Sequence, residues 1–308
     1  MIAVDLQQAL PTPKLSAGVA FYKRKLSVFN LGIHDLVNNR GYMFVWDEVT
    51  ARRGANEICS CLYKFVTTIV PPTIKKLVVV SDNCPGQNKN YIIVLFYMFL
   101  VHTRHFETIT HLFLRPGHTY NDADRDFAAI ENNMKGKSIF SIDDHIKNIE
   151  EARKKKPFAV TKMLQTDFLD FEHLKVYCTK RGTPEGVLFS NACWFRISNK
   201  YMIGYELATN YFSLDQEGHR VRVAKGIGKK ADANFSLRIN MSQRKKYTEP
   251  LPLTNVKIKD LRYLAENLIP RFYQENYWNI ILEGPAADSL RNDDDEDDDI
   301  GSFGDIYE

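Results

Sequence analysis

The sequence predicts an α/β protein. A mixed five-stranded sheet carries helices on both faces, and a smaller α+β extension and a disordered acidic tail follow it. Three observations carry this prediction. Three consecutive segments with strand character come first, before residue 49. From residue 55 to residue 134, segments of helical period then alternate with short apolar runs, the pattern of a sheet with crossover helices. The chain ends differently: "DDDEDDD" (293–299) is a block of like charge that repels itself.

Each element has its own warrant. "IAVDLQQAL" (2–10) reads as a strand ending near Asp5, and "GVAFYKRKLSVFNLGIHD" (18–35), roughly alternating, as a second. "VNNRG" (37–41) is a turn, and "GYMFVWDE" (41–48) is a third strand. The period then changes. Ile58, Leu62, Phe65 and Ile69 recur at helical spacing, and Pro71 and Pro72 stop that helix. "IKKLVVVS" (74–81) is a buried strand, a helix spans about 88–104, and "ETITHLFL" (107–114) is the fifth strand. "NDADRDFAAIENNM" (121–134) is a helix with Ala123, Phe127, Ile130 and Met134 on its core side. The order β-β-β-α-β-α-β-α is that of the RNase H-like fold.

Beyond it, "IDDHIKNIEEARKKK" (142–156) predicts a charged helix, "CWFRISNKYMIGYEL" (193–207) a hairpin and "NVKIKDLRYLAENL" (255–268) a helix. The expected organisation is a core over 1–158, an α+β extension over 159–287 and the disordered tail over 288–308.

Composition narrows the function classes. The 44% hydrophobic content suits a packed core. The strongest apolar run, "YIIVLFYMFLVH" (91–102), is too short to span a bilayer, so no membrane partner is expected. Met1 leads into "IAVDLQQ" without a basic segment, so no signal peptide is expected either. Cys59, Cys61, Cys84, Cys178 and Cys193 make no C-x-x-C pair, which argues against a zinc knuckle and for a reduced, intracellular protein, nuclear or cytoplasmic. Residues 291–308 hold nine acids and one arginine. Taken from 41 basic and 38 acidic residues, this leaves 40 against 29, a body of net charge +11. A basic body fits a polyanion such as DNA, though basic surfaces also serve solubility.

Acidic residues are the candidate chemistry. Asp5 and Asp82 end two strands that neighbour each other in this sheet, and the helix bearing Asp122, Asp124, Asp126 and Glu131 can pack beside them. Converging carboxylates suit hard divalent cations. A pair of Mg²⁺ ions (or Mn²⁺) about 3.5–4 Å apart clamps the attacking and leaving oxygens of a phosphodiester displacement. Asn83, Gln87, Asn88, Lys89 and Arg125 are then candidates for phosphate or sugar contacts. The competing reading is local: Asp82 or Asn83 caps the next helix and the amides coat its surface. His118 can bind phosphate or orient a water, or simply sit in a loop before the helix. Glu57 and Glu48 can assist metal binding, but a first-turn glutamate that favours the helix dipole is the preferred reading of Glu57, and Glu48 has the same ambiguity. His102, His105 and His111 read as structural or surface residues. The segments "RVRVAKGIGKK" and "SQRKKY" add a basic patch.

"DLQQALPTPKL", "FYKRKL", "WDEVTARRGANEICSCL", "SDNCPGQNKN" and "RPGHTYNDADRDFAAIE" closely resemble a transposase-derived domain family of insect and other animal genomes. That family is RNase H-like, of DDE/DDD type. The likeness spans roughly residues 1–180. It implies Asp5, Asp82 and Asp124 as a catalytic, metal-binding triad, with Glu131 in reserve and Glu57 as an auxiliary; His118 is an auxiliary on its own position, not on the likeness. Periodicity alone does not select Asp124, since Asp124 and Glu131 flank one side of the apolar stripe and Asp122 and Asp126 the other.

Two main functions follow from this, with a purely structural interaction domain as a weaker third. One is a transposase- or nuclease-like core that cuts or joins DNA strands with two metal ions. The other is a domesticated, catalytically silent module that binds nucleic acid or protein. The presence of all three acids favours the first. Only four residues precede Asp5 and they hold no DNA-binding module, which favours the second unless the sequence is a fragment of a longer protein. Self-association is left open by the sequence.

Overall fold

A computed structural model describes residues 1–115, 120–179, 188–211, 218–240, 244–283 and 286–287. The chain runs through β1 (Ile2–Leu6), β2 (Leu10–Thr12), α1 (Gly18–Phe21), β3 (Leu26–Asp35), β4 (Arg40–Asp47), α2 (Ala55–Thr68), β5 (Lys76–Ser81), α3 (Tyr91–His102), β6 (Thr108–Phe113) and α4 (Asp122–Asn133). It continues through α5 (Ile142–Glu150), β7 (Ala159–Lys162), β8 (Trp194–Ser198), β9 (Gly204–Ala208), β10 (His219–Arg222) and α6 (Lys229–Asn240). It closes with β11 (Leu253–Thr254), α7 (Asn255–Asn267), α8 (Arg271–Glu283) and β12 (Ala286–Ala287).

The architecture is mixed α/β. Among the described residues one sheet holds ten strands in the order β10-β9-β8-β6-β5-β1-β3-β4-β7, with β2 pairing with β3 beyond the end of β1. β1, β5 and β6 are parallel, β3 is antiparallel to β1 and to β4, and the β8–β9 hairpin runs antiparallel from β6.

Three expectations are corrected. The sheet is nine strands across rather than the five expected, because residues beyond 158 extend it at both edges: β7 joins β4, and β8–β10 join β6. These additions share the core. Met163, Phe168, Phe195 and Leu207 belong to the same apolar cluster as Ile2 and Val79. The expected long strand over 18–35 starts only at Leu26, and residues 18–21 form one helical turn instead. Its aromatics do not alternate into a core. Phe21 and Tyr22 are 81% and 83% exposed, while Ala20 is buried against Leu261 and Leu264 of α7. The charged helix after Ile142 ends at Glu150, short of the expected 156.

Strand alternation sorts the side chains onto two faces. Ile2 and Val4 of β1, Leu31 and Ile33 of β3 and Leu77 and Val79 of β5 pack with α2 and α3. Val28, Met43 and Val45 pack on the opposite face with Ala123, Phe127 and Ile130 of α4 and Ile149 of α5. No helix among the described residues is long and apolar enough to cross a membrane. The most apolar helix, α3, is instead buried without a break from Ile93 to Val101. The acidic tail lies outside the described residues.

Candidate active site: a carboxylate cluster at the β1–β5 edge

The parallel pairing of β1 and β5 sets Ile2 beside Val79 and Ala3 beside Val80. Continued by two residues, that register brings Asp5 beside Asp82. Both are odd relative to the face that buries Val4 and Val79, so both side chains stand on the α4 face. They sit where parallel strands end and the chain leaves the sheet, the usual place for a site in an open α/β sheet.

α4 supplies the third acid through a close approach to the sheet. The residue paired with Asp5 across β3 is Gly32. A Cβ there would lie 2.7 Å from Phe127 Cε1 and 3.6 Å from Ala123 Cβ. The missing side chain therefore lets the first two turns of α4 lie against the sheet directly beside Asp5, and Asp124 comes with them.

Electrostatics record the encounter. The Asp5 carboxyl is pushed up to about 7, first by burial, then by the Asp82 charge. Asp124 adds its charge and a shared hydrogen bond, against which only the Leu6 N–H pulls downward. Each acid is also held from one side. Asp5 Oδ1 accepts the Leu6 N–H at 2.8 Å. Asp82 Oδ1 accepts the Asn88 amide at 2.7 Å and the Cys84 N–H at 3.1 Å. Asp124 Oδ2 accepts the Asn121 N–H at 2.7 Å, while Asn121 Oδ1 caps α4 by accepting from Ala123 N–H. Among the described residues no lysine, arginine or histidine pairs with any of the three. Asp5 and Asp124 share a hydrogen bond, while the second oxygen of Asp82 is left for another partner.

The donor set is all oxygen and anionic, which suits Mg²⁺ or Mn²⁺. The present spacing is wider than coordination needs. No three His, Cys, Asp or Glu side chains among the described residues stand close enough to hold an ion together. Asp5 and Asp124 share a hydrogen bond, and Asp82 acts on Asp5 through its charge.

Behind Asp82 lies a buried relay. Ser81 Oγ donates to the Asp82 carbonyl at 2.8 Å, His111 Nε2 meets Ser81 Oγ at 2.8 Å, and the Tyr97 hydroxyl meets His111 Nδ1 at 3.0 Å. The single hydroxyl proton of Ser81 is used on the carbonyl, so His111 Nε2–H donates to Ser81 and Nδ1 accepts from Tyr97. Burial drives the His111 imidazole down to about 3, and it stays neutral. The end of β5 is thereby fixed.

The amides expected to meet nucleic acid are mostly spent locally. Asn83 donates to the Leu114 carbonyl and accepts from Lys89 Nζ at 3.0 Å. Lys89 also lies over the Phe113 ring, 4.8 Å from its centroid. Asn88 is buried and orients Asp82. Asn90 caps α3 by accepting from the Ile92 and Ile93 N–H groups. Gln87 is half-buried at the turn. Arg125 is 51% exposed and pairs with Asp122 at 2.6 Å.

The auxiliary acids sit elsewhere. Glu57 is buried in the first turn of α2, with one oxygen accepting the Gly54 N–H at 2.8 Å and the other the Tyr247 hydroxyl. Glu48 accepts from Ser27 N–H at 2.7 Å and binds Lys257 Nζ of α7 at 2.7 Å. Glu131, two turns beyond Asp124, is exposed and accepts from Gln7 at 3.2 Å. Asp126 is fully buried between His34 and Arg153 at 2.7 and 2.6 Å. His118 lies outside the described residues. Sequence reasoning missed Asn88 as the partner of Asp82. Its place six residues after Asp82, in a Pro-Gly turn that folds back on the strand end, was the available signal.

No curated protein and no solved structure matches the chain. A family profile described as Domain of unknown function (DUF7869) matches residues 24–180, which include Asp82 and Asp124 and begin after Asp5. That is just over half of the 308 residues, and the chain belongs to this family.

Proposed function

We propose that the chain is a transposon-derived, DDD-type core of transposase or nuclease character, acting on DNA phosphodiesters with two Mg²⁺ or Mn²⁺ ions. The observation that carries this reading is the Asp5 carboxyl. It is pushed up to about 7 at a strand end by burial and by the charges of Asp82 and Asp124. A fold gains no stability from three clustered acids without a described cation, so a function that needs their charge is the simplest reason for them.

The central strand order β4-β3-β1-β5-β6, with α2 and α3 on one face and α4 on the other, supports the RNase H-like reading. Metal ions bound here would lower the pKa of a coordinated water and offset charge on the phosphoryl oxygens. The protein's own share is positional. Asn88 and the Cys84 N–H aim Asp82, the Asn121 N–H aims Asp124, and the Ser81–His111–Tyr97 relay keeps the end of β5 still. The net charge of +11 on residues 1–290 supports a polyanionic substrate and a site of action in the nucleus.

The absence of a ready three-acid metal group among the described residues favours a second reading, a silent binding module. Cleavage of labelled DNA by the purified chain with Mg²⁺, Mn²⁺ or Ca²⁺ separates the two. Metal-dependent cleavage that Asp82→Asn abolishes is the expected result. Ca²⁺, larger and more loosely coordinated, supports little turnover. Equal background cleavage by wild type and Asp82→Asn under every metal would leave the binding module.

A further inference from the structure

We propose a second site on this chain: a basic cleft that binds a phosphate group, on the flank of α4 turned away from the carboxylate cluster. A cleft of about 350 Å³ is lined by Asn39, Arg125, Arg153, Lys155 and Lys156. Its walls are the β3–β4 turn, the first half of α4 and the segment between α5 and β7. The site stands on these residues alone and does not rest on the nuclease reading.

The walls are braced from within. Asp126, fully buried, holds His34 Nδ1 at 2.7 Å with one oxygen and meets the Arg153 guanidinium at 2.6 Å with the other. His34 Nε2 meets Asn39 Oδ1 at 3.1 Å, which ties the turn to the same network. The Arg153 guanidinium also lies over the Phe158 ring, 4.7 Å from its centroid. A guanidinium held by a carboxylate and a ring face is a preset fork for oxyanions. On the other wall, Lys156 takes a left-handed backbone (φ +52°) and its ammonium reaches back to the Asn38 carbonyl at 3.0 Å.

The charge balance selects the ligand. Asp122 offsets Arg125 and Asp126 offsets Arg153, each at 2.6 Å. Lys155 and Lys156 have no ion-pair partner among the described residues. Two uncompensated ammonium groups beside a preset guanidinium match one dianionic phosphate. The phosphate can belong to a nucleic-acid backbone or to a small polyphosphate, and the test is built to tell these apart.

Binding of the full chain to tripolyphosphate is measured by calorimetry. Binding to a labelled DNA duplex is measured by anisotropy across a salt series. The double variant Arg125→Ala, Lys155→Ala removes exposed side chains and is checked for folding by circular dichroism. Arg153→Lys keeps the charge but loses the fork. Both are expected to weaken tripolyphosphate binding by about tenfold or more, the scale of a missing charged hydrogen bond. If the ligand is a nucleic-acid backbone, the duplex log–log salt slope also becomes shallower by about 0.9 for each phosphate that is no longer neutralised. If it is a small polyphosphate, the duplex slope stays unchanged. Either pattern supports the cleft. Wild type that binds neither probe, or variants that bind both as wild type does, overturns it. Asp82→Asn serves as the separating control. Cleft binding that survives in this variant, with metal-dependent cleavage absent even in wild type, refutes the nuclease reading and leaves the cleft standing.

Discussion

Asp5→Asn should make this protein more stable, and by an amount that depends on pH. The ordinary aspartate value of 3.8 rises to about 7 in the fold because burial and the Asp82 and Asp124 charges oppose ionisation. Each tenfold change in proton affinity is 1.36 kcal/mol, so the ceiling on the penalty is about 4 kcal/mol. Water penetration and small side-chain movements reduce that to about 2–3 kcal/mol. The sign follows from proton counting. Below about pH 3.8 the carboxyl is protonated in both folded and unfolded chains, and no penalty exists. Between 3.8 and about 7 the unfolded chain gives up its proton while the folded chain keeps it, so wild-type stability falls as pH rises. Above about 7 both forms are ionised and the whole penalty stands. Asparagine has the shape of the protonated acid, can still accept from the Leu6 N–H, and does not titrate. Urea unfolding at pH 4.5, 6 and 8 should therefore show the Asp5→Asn gain growing with pH to its full value at pH 8. Asp143→Asn, at a carboxylate 68% exposed on α5, is the control and should show no such trend. Excess Mg²⁺ should stabilise wild type, by about 2.7 kcal/mol at a hundredfold excess over its dissociation constant, and Asp5→Asn much less. A gain that is the same at every pH, or no gain at pH 8, would refute the electrostatic account of the cluster.

Two further expectations concern the residues that set the cluster in place. Gly32→Ala puts a methyl 2.7 Å from Phe127 Cε1 and should cost about 1–3 kcal/mol in urea unfolding. Phe127→Leu in the same chain should recover part of that cost, whereas simple additivity of the two effects would show that α4 does not depend on the space at Gly32. Asn88→Ala removes the amide that orients Asp82 and should lower metal-dependent cleavage about 10- to 100-fold while the fold persists. Wild-type turnover in that variant would mean that Asp82 needs no such partner.

The sequence carries the central half of this fold because the signals there are local. "LVVVS" between Pro71–Pro72 and a Pro-Gly turn admits little but a buried strand, and Ala123, Phe127, Ile130 and Met134 are all buried as their helical spacing predicts. What lies beyond residue 158 is legible only in fragments. The β8–β9 hairpin is there, but β7 is four residues long, and its partner β4 lies more than a hundred residues earlier. Sheet width is a property of long-range pairing, and no local period reports it. The same limit explains the amides after Asp82. Asn83, Asn88 and Asn90 look alike in sequence, yet they separately hold the Leu114 carbonyl, the Asp82 carboxylate and the α3 N-terminus. Their acceptors are set by how the turn folds back, which composition cannot encode.

The choice among the acids of "NDADRDF" shows where long-range information enters. Asp122, Asp124 and Asp126 occupy one helical turn and have the same chemistry, yet they have three fates. Asp122 pairs with Arg125 at the surface, Asp126 is buried under His34 and Arg153, and Asp124 meets Asp5. What distinguishes them is the rotation of α4 about its axis, and that rotation is fixed by two glycines on the sheet. Gly32 receives Phe127, and Gly41 leaves room where a Cβ would lie 2.5 Å from Asp126 Oδ2. With Phe127 seated over Gly32 and Asp126 over Gly41, the remaining side of the first turn faces β1, and Asp124 is the acid on it. The glycines are thus as much a part of the candidate site as the carboxylates. A substitution at either one should disturb the Asp5–Asp124 contact without touching an acid.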